Sequence, residues 1–285
     1  MIKNLFVFII LTCFSFNNLK GEDLYILFTA NVNGNLENCD CGTDPLGGVG
    51  RIKEYIDDFH NKHSNCIAID GGDFLNSYPY LLLNETMFQV LKISNYDWFI
   101  PGEQEFVEGE EFFNKTILSL KNKVLISNLE ICSQRERKLK YKNFNIYLYG
   151  YLSPESFNYI KKPNNISLLQ FSSLSLEPKN GLNAIVFHGR LSEAMTIAEA
   201  NNWIDLILLA HEQQEDEWQI GNTLIVGAGK DSESVAVIEI RKVKKDWKFA
   251  IERIKMQKSL IENKQVLDLI EQFKNVDKSN SSSLN

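Results

Sequence analysis

The sequence predicts an α/β protein with mixed sheets, in which strands and helices alternate and a second, more antiparallel sheet closes the chain. Two observations predict it. Short apolar runs of strand length, such as Leu24 to Thr29, Cys66 to Asp70 and Asp205 to Leu209, alternate with stretches whose apolar residues recur at helical spacing. The chain then ends in three strand-like runs separated by turn residues. No period of about 20 to 50 residues recurs, which excludes a repeat architecture.

The elements follow in order. Leu24 to Thr29 reads as a buried strand, and Gly48 to His60 as an amphipathic helix with Val49, Ile52, Tyr55, Ile56 and Phe59 on one face. Cys66 to Asp70 is a second strand, stopped by Gly71-Gly72-Asp73. Tyr80 to Ser94 has helical spacing, Trp98 to Ile100 is a brief strand ending at Pro101-Gly102, and Glu108 to Leu120 reads as a helix. Val124 to Ser127 and Ile146 to Leu152 read as strands, and Ser153 to Asn180, rich in Asn, Ser, Lys and Pro, as an irregular excursion. Regular structure returns with Ala184 to Phe187 as strand, Arg190 to Asn201 as helix and Asp205 to Leu209 as strand. Thr223 to Val226, Ser234 to Arg241 and Trp247 to Ile254 are the last strands, with Lys244-Lys245-Asp246 turning a hairpin, and Gln265 to Phe273 is a terminal helix. The expected organisation is a signal peptide over 1–21, one domain over 22–275, and a disordered polar tail over 276–285.

The leader reading rests on Lys3 followed by the apolar run Leu5 to Phe16, which is too short for a membrane span of about 20 residues. It implies export to a periplasmic, extracellular or surface-anchored location. Cys13 follows Ile10-Leu11-Thr12, a faint likeness to a lipoprotein cleavage box, so a membrane is expected as a partner only through a lipid at Cys13. After cleavage Cys39, Cys41, Cys66 and Cys132 remain, enough for two bridges in three connectivities, and a Cys39 to Cys41 bridge would be strained. A metal site at this Cys-x-Cys lacks a second pair at ligand spacing. The formal net charge of −7 gives no general attraction to nucleic acid or to anionic membranes, both of which need clustered Lys and Arg.

Chemistry concentrates after the apolar strands. Five polar clusters follow them in sequence: Asn31-Val32-Asn33-Gly34, Gly72-Asp73, Gly102-Glu103-Gln104-Glu105, His188-Gly189 and His211-Glu212-Gln213. Carboxylate, amide and imidazole groups recurring at strand ends are what a metal centre on an α/β scaffold requires. The bland alternatives are a turn at Asn31 and Asn33, a cap at Asp73, and satisfied structural histidines at His188 and His211. Glu105 reads as a supporting residue. The Gly47-Gly48 helix start suits either an anion or close packing. The acidic string Glu212, Glu215, Asp216 and Glu217 reads as a solvated loop, unless one carboxylate joins the centre.

In order and spacing, these clusters resemble the calcineurin-like metallophosphoesterases, and among them the catalytic domain of secreted 5′-nucleotidases. That family carries Asp-x-His, a Gly-Gly plus Arg helix start, Gly-Asp, Gly-Asn-His-Glu, a lone His and Gly-His-x-His. Here the matching residues are Asn31-x-Asn33, Gly47-Gly48 with Arg51, Gly72-Asp73, Gly102-Glu103-Gln104-Glu105, His188, and Ala210-His211-x-Gln213, over roughly residues 24 to 240. The resemblance implies a four-layer αββα sandwich and a dinuclear metal centre. One implied metal would be held by Asn31, Asn33, Asp73 and Gln213, where amides replace imidazoles and a carboxylate and only Asp73 survives. The other would be held by Asp73, Glu103, His188 and His211, a set intact in ligand type. Gln104 occupies the position of the catalytic His, and an amide supplies no proton near neutral pH. Hydrolysis with two metals needs cations about 4 Å apart. The expectation is a half-lost centre that binds at most one divalent ion (Zn, Mn, Fe or Ca) with little or no 5′-nucleotidase activity; the alternative is a single-metal phosphoester hydrolase. The implied ligand is a small phosphoester, with no nucleic acid polymer as partner.

Overall fold

A computed structural model of the chain describes residues 23–38, 45–129, 136–141, 144–164 and 166–282. The leader reading, Cys13, Cys39, Cys41 and Cys132 lie outside them. Cys66 carries a free, half-buried thiol, so no bridge is made through it. No helix among the described residues is long and apolar enough to cross a membrane.

The chain runs β1 (Leu24–Thr29), α1 (Val49–Lys62), β2 (Cys66–Asp70), α2 (Leu81–Ile93), β3 (Trp98–Phe99), α3 (Glu110–Lys115), β4 (Arg137–Tyr141) and β5 (Phe144–Leu152). It continues through β6 (Leu182–Gly189), α4 (Leu191–Ala200), β7 (Leu206–His211), β8 (Glu217–Ile220), β9 (Thr223–Gly227), β10 (Ser234–Val243), β11 (Asp246–Lys255) and α5 (Lys264–Ser282). Two sheets form. The first has the order β11-β10-β1-β2-β3, and the second β4-β5-β6-β7-β9-β8. Both are mixed: β1, β2 and β3 run parallel, β10 runs antiparallel to β1 and β11 antiparallel to β10, while β5, β6, β7 and β9 run parallel with β4 and β8 antiparallel at the edges.

Strand alternation sorts the core into layers. Leu24, Ile26 and Phe28 of β1, Leu182, Ala184 and Val186 of β6, and Leu206, Leu208 and Ala210 of β7 pack together between the sheets. The opposite residues face helices. Leu27 and Ala68 meet α1, α2 and α5 over the first sheet, while Ile185, Phe187, Ile207 and Leu209 meet α4 over the second. The result is the expected αββα sandwich of mixed sheets.

Three expectations need correction. The helix over Glu108 to Leu120 breaks at Thr116, whose hydroxyl bonds back to the Phe112 carbonyl at 2.5 Å, and residues Ile117–Lys123 form a tighter 3-10 turn. Val124 to Ser127 is no ladder strand, because it crosses between the sheets: Leu125 N–H donates to the Phe99 carbonyl and Ser127 N–H to the Gly150 carbonyl. The tail over 276–285 is helical as far as Ser282. Tyr80 anchors that extension by packing edge-on to Phe273 and hydrogen-bonding Asp277, and the hydroxyls of Ser279, Ser281 and Ser282 satisfy carbonyls one turn back. The short antiparallel edges β4 and β8 add two strands that the sequence reading did not assign, and β8 takes up Glu217 of the acidic string.

Candidate metal centre

The polar clusters all lie at the carboxyl ends of strands, along one edge of the sandwich. His188 continues the alternation Leu182, Ala184, Val186, so its ring turns into the space between the sheets, where it is fully buried. His211 is the last residue of β7 and swings toward it through a left-handed φ of 73°. Asp73 and Glu103 arrive from the ends of β2 and β3 in the other sheet. Left-handed backbone marks this edge: Asn31, Asn33, Asp73 and His211 have φ of 54°, 57°, 55° and 73°, a conformation uncommon outside glycine and best tolerated by Asn, Asp and His.

Four donors converge. One ligand atom from each of Asp73, Glu103, His188 and His211 lies within 4.8 Å of every other. His188 Nε2 is 2.9 Å from Glu103 Oε2 and 3.5 Å from Asp73 Oδ1, and His211 Nδ1 is 3.1 Å from Glu103 Oε1. His188 Nδ1 lies 2.7 Å from the Gly71 carbonyl and donates to it, which leaves Nε2 as the atom facing the carboxylates. Burial opposes charge on His188, but Asp73 and Glu103 outweigh it and hold its pKa well above the usual imidazole value. Burial likewise pushes Glu103 up, yet His188 and His211 draw its carboxyl down to about 2. The cluster is a compact arrangement of negative oxygens and imidazole nitrogens shared between two sheets. His211 Nδ1 is buried and faces Glu103 without a well-aligned hydrogen bond among the described residues, a polar atom that a cation at this point would satisfy. The donor set therefore fits one divalent ion.

Glycines permit this approach. A Cβ on Gly102 would lie 2.3 Å from Asp73 Oδ1 and 2.3 Å from His188 Cε1. Glu105 fixes the loops, its buried carboxylate accepting N–H bonds from Asp73, Phe74, Leu75 and Gly102 at 2.6 to 3.1 Å. Burial, then the Asp73 charge, push its pKa up to about 8, while the N–H donors pull the other way.

The other set is organised differently. Asn31 is buried and fully used: Nδ2 donates to the carbonyls of Gly229 (2.7 Å) and Glu212 (3.1 Å), and Oδ1 accepts from His211 N–H (2.9 Å). Asn33 Nδ2 donates to Asp231 Oδ1 at 2.9 Å and to the Asn31 carbonyl at 2.8 Å. Gln104 Nε2 donates to both Asn33 Oδ1 (3.0 Å) and Asp73 Oδ2 (3.1 Å), so an amide NH₂ sits between the oxygens that face this side. Gln213 is exposed in the loop after β7 and takes no part in the network. The nearby acids have other partners, Glu212 at the Leu191 N–H, Glu215 at Lys255 and Glu217 at Arg253. The Gly47-Gly48 helix start is closed by packing, since Arg51 bonds the Gly47 carbonyl and pairs with Glu262 at 3.1 Å.

A cleft of about 660 Å³ opens beside the cluster, lined by His211, Arg190, Lys230 and Tyr159 among others. Sequence reasoning passed over these last three and Asp231. Arg190 had a signal in following His188-Gly189; Lys230, Asp231 and Tyr159 had none.

No family model matches the sequence, and no curated protein sequence matches it. Solved structures do. The NAD nucleotidase of Haemophilus influenzae superposes with a TM-score of 0.77 at 14% identity over 90% of this chain and 60% of that one. The 5′-nucleotidase precursor of Thermus thermophilus gives 0.76 at 14% identity over 90% and 59%, and the calcineurin-like phosphoesterase YfkN of Bacillus subtilis gives 0.68 at 16% over 89% and 97%. The chain thus spans about three-fifths of the length of the first two and nearly all of the third. It has the fold of the calcineurin-like metallophosphoesterases, in the form that resembles the catalytic domains of 5′-nucleotidases.

Proposed function

We propose that the protein is an exported metallophosphoesterase-fold protein that binds one divalent cation through Asp73, Glu103, His188 and His211 and has little or no 5′-nucleotidase activity. The observation that carries this reading is the Gln104 amide, which donates to Asn33 and to Asp73 where a second cation would have to approach the same oxygens. An N–H donor pointing at those lone pairs excludes a cation from them, and neutral amides at Asn31 and Asn33 attract transition metals weakly. Two carboxylates with two imidazoles suit Zn, Mn or Fe better than Ca, which prefers an all-oxygen shell. When bound, such an ion supplies Lewis acidity and lowers the pKa of a bound water. The chain's own residues orient the donors, through Glu105 and the Gly71 carbonyl, but place no imidazole at position 104 to protonate a leaving group. Export rests on the leader-like run Leu5 to Phe16.

A second reading keeps a single-metal phosphoester hydrolase. The cleft favours it, because Arg190 and Lys230 place positive charge next to His211, where an anionic ligand would enter. Metal analysis of the purified protein and turnover of nucleotides and aryl phosphates separate the two. One equivalent of metal with no turnover supports the first reading. Turnover abolished by His188→Ala or His211→Ala establishes the second, and two equivalents overturn the reading of the amide side.

A further inference from the structure

The end of the sandwich opposite the candidate metal centre carries a second feature, independent of the proposed function. The chain enters the fold at Asp23, beside the tips of two hairpins. One tip joins β10 to β11 at the pair Val243 and Asp246; the other joins β4 to β5 at the pair Tyr141 and Phe144. The tips touch. Phe144 packs edge-on to Trp247 with ring centres 4.8 Å apart, Tyr141 Oη donates to the Asp23 carbonyl at 3.2 Å, and Arg241 binds the Asp23 carboxylate and Glu239.

Lys244 and Lys245 occupy the β10–β11 tip, and Lys140, Lys242 and Lys248 lie next to the tips on their strands, all exposed. None of the five forms an ion pair among the described residues, and Asp246 is the one exposed acid on the β10–β11 tip. A formal charge of −7 for the whole chain conceals this concentration of cations, because they come from segments a hundred residues apart. Exposed Val243 lies at the same tip, and Lys242 Nζ stands 4.9 Å over the Trp247 ring. Lysines interleaved with half-buried aromatics and an exposed aliphatic residue make a face suited to the boundary between water and lipid headgroups.

We propose that this end is a docking face for an anionic phospholipid surface, with Lys140, Lys242, Lys244, Lys245 and Lys248 as its contacts. The arrangement orients the molecule. Asp23 and Asn31 lie at the two ends of the six-residue strand β1, which spans about 20 Å at about 3.3 Å per residue, so the docked protein turns its metal centre and cleft away from the lipid. That distance also exceeds the screening length in physiological salt, about 8 Å, so the lysines act on the surface and not on ligands in the cleft.

The test uses the full chain with vesicles of phosphatidylcholine and phosphatidylglycerol in equal parts and with vesicles of phosphatidylcholine alone, bound protein being measured by sedimentation at low and high salt. The expected result is binding to the anionic vesicles that weakens as salt rises, and at least tenfold weaker binding to the neutral ones. The triple variant Lys140→Glu, Lys245→Glu, Lys248→Glu should lower binding at least about a hundredfold, each lysine near an anionic surface contributing about fivefold. Its circular dichroism and metal content serve as controls of folding; if they change, Lys245→Gln with Lys248→Gln replaces it, with an expected loss of about 25-fold. Equal binding to both vesicles, or folded variants that bind as the parent does, overturns the proposal. So does capture of a single-stranded oligonucleotide as strong as that of the anionic vesicles, which would make the face a nucleic-acid site.

Discussion

Gln104 and Asn33 meet amide nitrogen to amide oxygen at 3.0 Å, and the same nitrogen reaches Asp73 at 3.1 Å. Both N–H groups of one side chain are thereby spent on bridging oxygens that would otherwise repel each other. Removing the bridge tests its role. Gln104→Ala should destabilise the fold by roughly 1 to 2 kcal/mol, the ordinary cost of lost buried hydrogen bonds, and leave metal content at one equivalent, because the neutral amides of Asn31 and Asn33 still attract a second cation only weakly. A rise to two equivalents would show instead that the Gln104 amide alone had kept the second ion out.

Asn31 gives a sharper test of whether the amide side is a remnant or a replacement. Its NH₂ group faces two carbonyl oxygens, Gly229 and Glu212. Asn31→Asp would set a carboxylate against both, in a site that is almost wholly buried. The expected cost is about 3 kcal/mol by denaturant unfolding, from two lost donors and an unpaired charge. A variant as stable as the parent would mean that position 31 still tolerates a metal-ligating acid.

Gly102 controls how closely the two sheets' donors approach. Gly102→Ala places a methyl 2.3 Å from both the Asp73 carboxylate and the His188 ring, and one of them must move. Metal affinity, measured by competition with a chelating dye, should fall by about 10- to 100-fold, as it does when groups supporting a metal's ligands are disturbed. Unchanged affinity would remove Asp73 or His188 from the ligand set.

Asp70 predicts a pH dependence of stability. Its buried carboxyl accepts bonds from Thr29 Oγ1 (2.7 Å) and Gly72 N–H (3.0 Å), and Thr29 in turn meets Tyr96. Burial pushes its pKa up to about 7. A carboxyl raised in the folded state binds more protons folded than unfolded between about pH 4 and 7, so its contribution to stability falls as pH rises through that window. The full swing is about 4 kcal/mol, from roughly three pKa units at 1.36 kcal/mol each. Asp70→Asn removes it, since the amide oxygen can take the Gly72 N–H and the amide nitrogen can donate to Thr29. Unfolding at pH 5 and pH 8 should show the variant gaining on the parent as pH rises; parallel curves would sink the idea.

Much of the fold was legible because its signals are local. β1 and β2 end where their apolar runs end, and each candidate ligand lies at or just after the end of a strand. The family resemblance carried by these clusters implied the group Asp73, Glu103, His188 and His211, and the structure brings its donor atoms within 4.8 Å. What escaped is long-range. Asp231 reaches Asn33 across nearly two hundred residues, and the cleft assembles Tyr159, Arg190 and Lys230 from three separate loops. The helical breaks and extensions escaped for another reason: Thr116 ends α3 by bonding its own backbone, and Tyr80 prolongs α5 by tertiary contact, neither of which alters apolar spacing.

Asp73 and Glu103 project from the first sheet, whereas His188 and His211 project from the second. The interface between those sheets is largely apolar packing, bridged also by the crossing segment through Leu125 and Ser127. An ion gripped by all four side chains is therefore a rivet through both plates at one rim. With the rivet in place, separation of the sheets is resisted at that rim. Without it, the loops at Gly71 to Asp73 and Gly102 to Glu105 become the place where opening begins, and amide hydrogen exchange along that rim would report the ion's presence even in a protein that catalyses nothing.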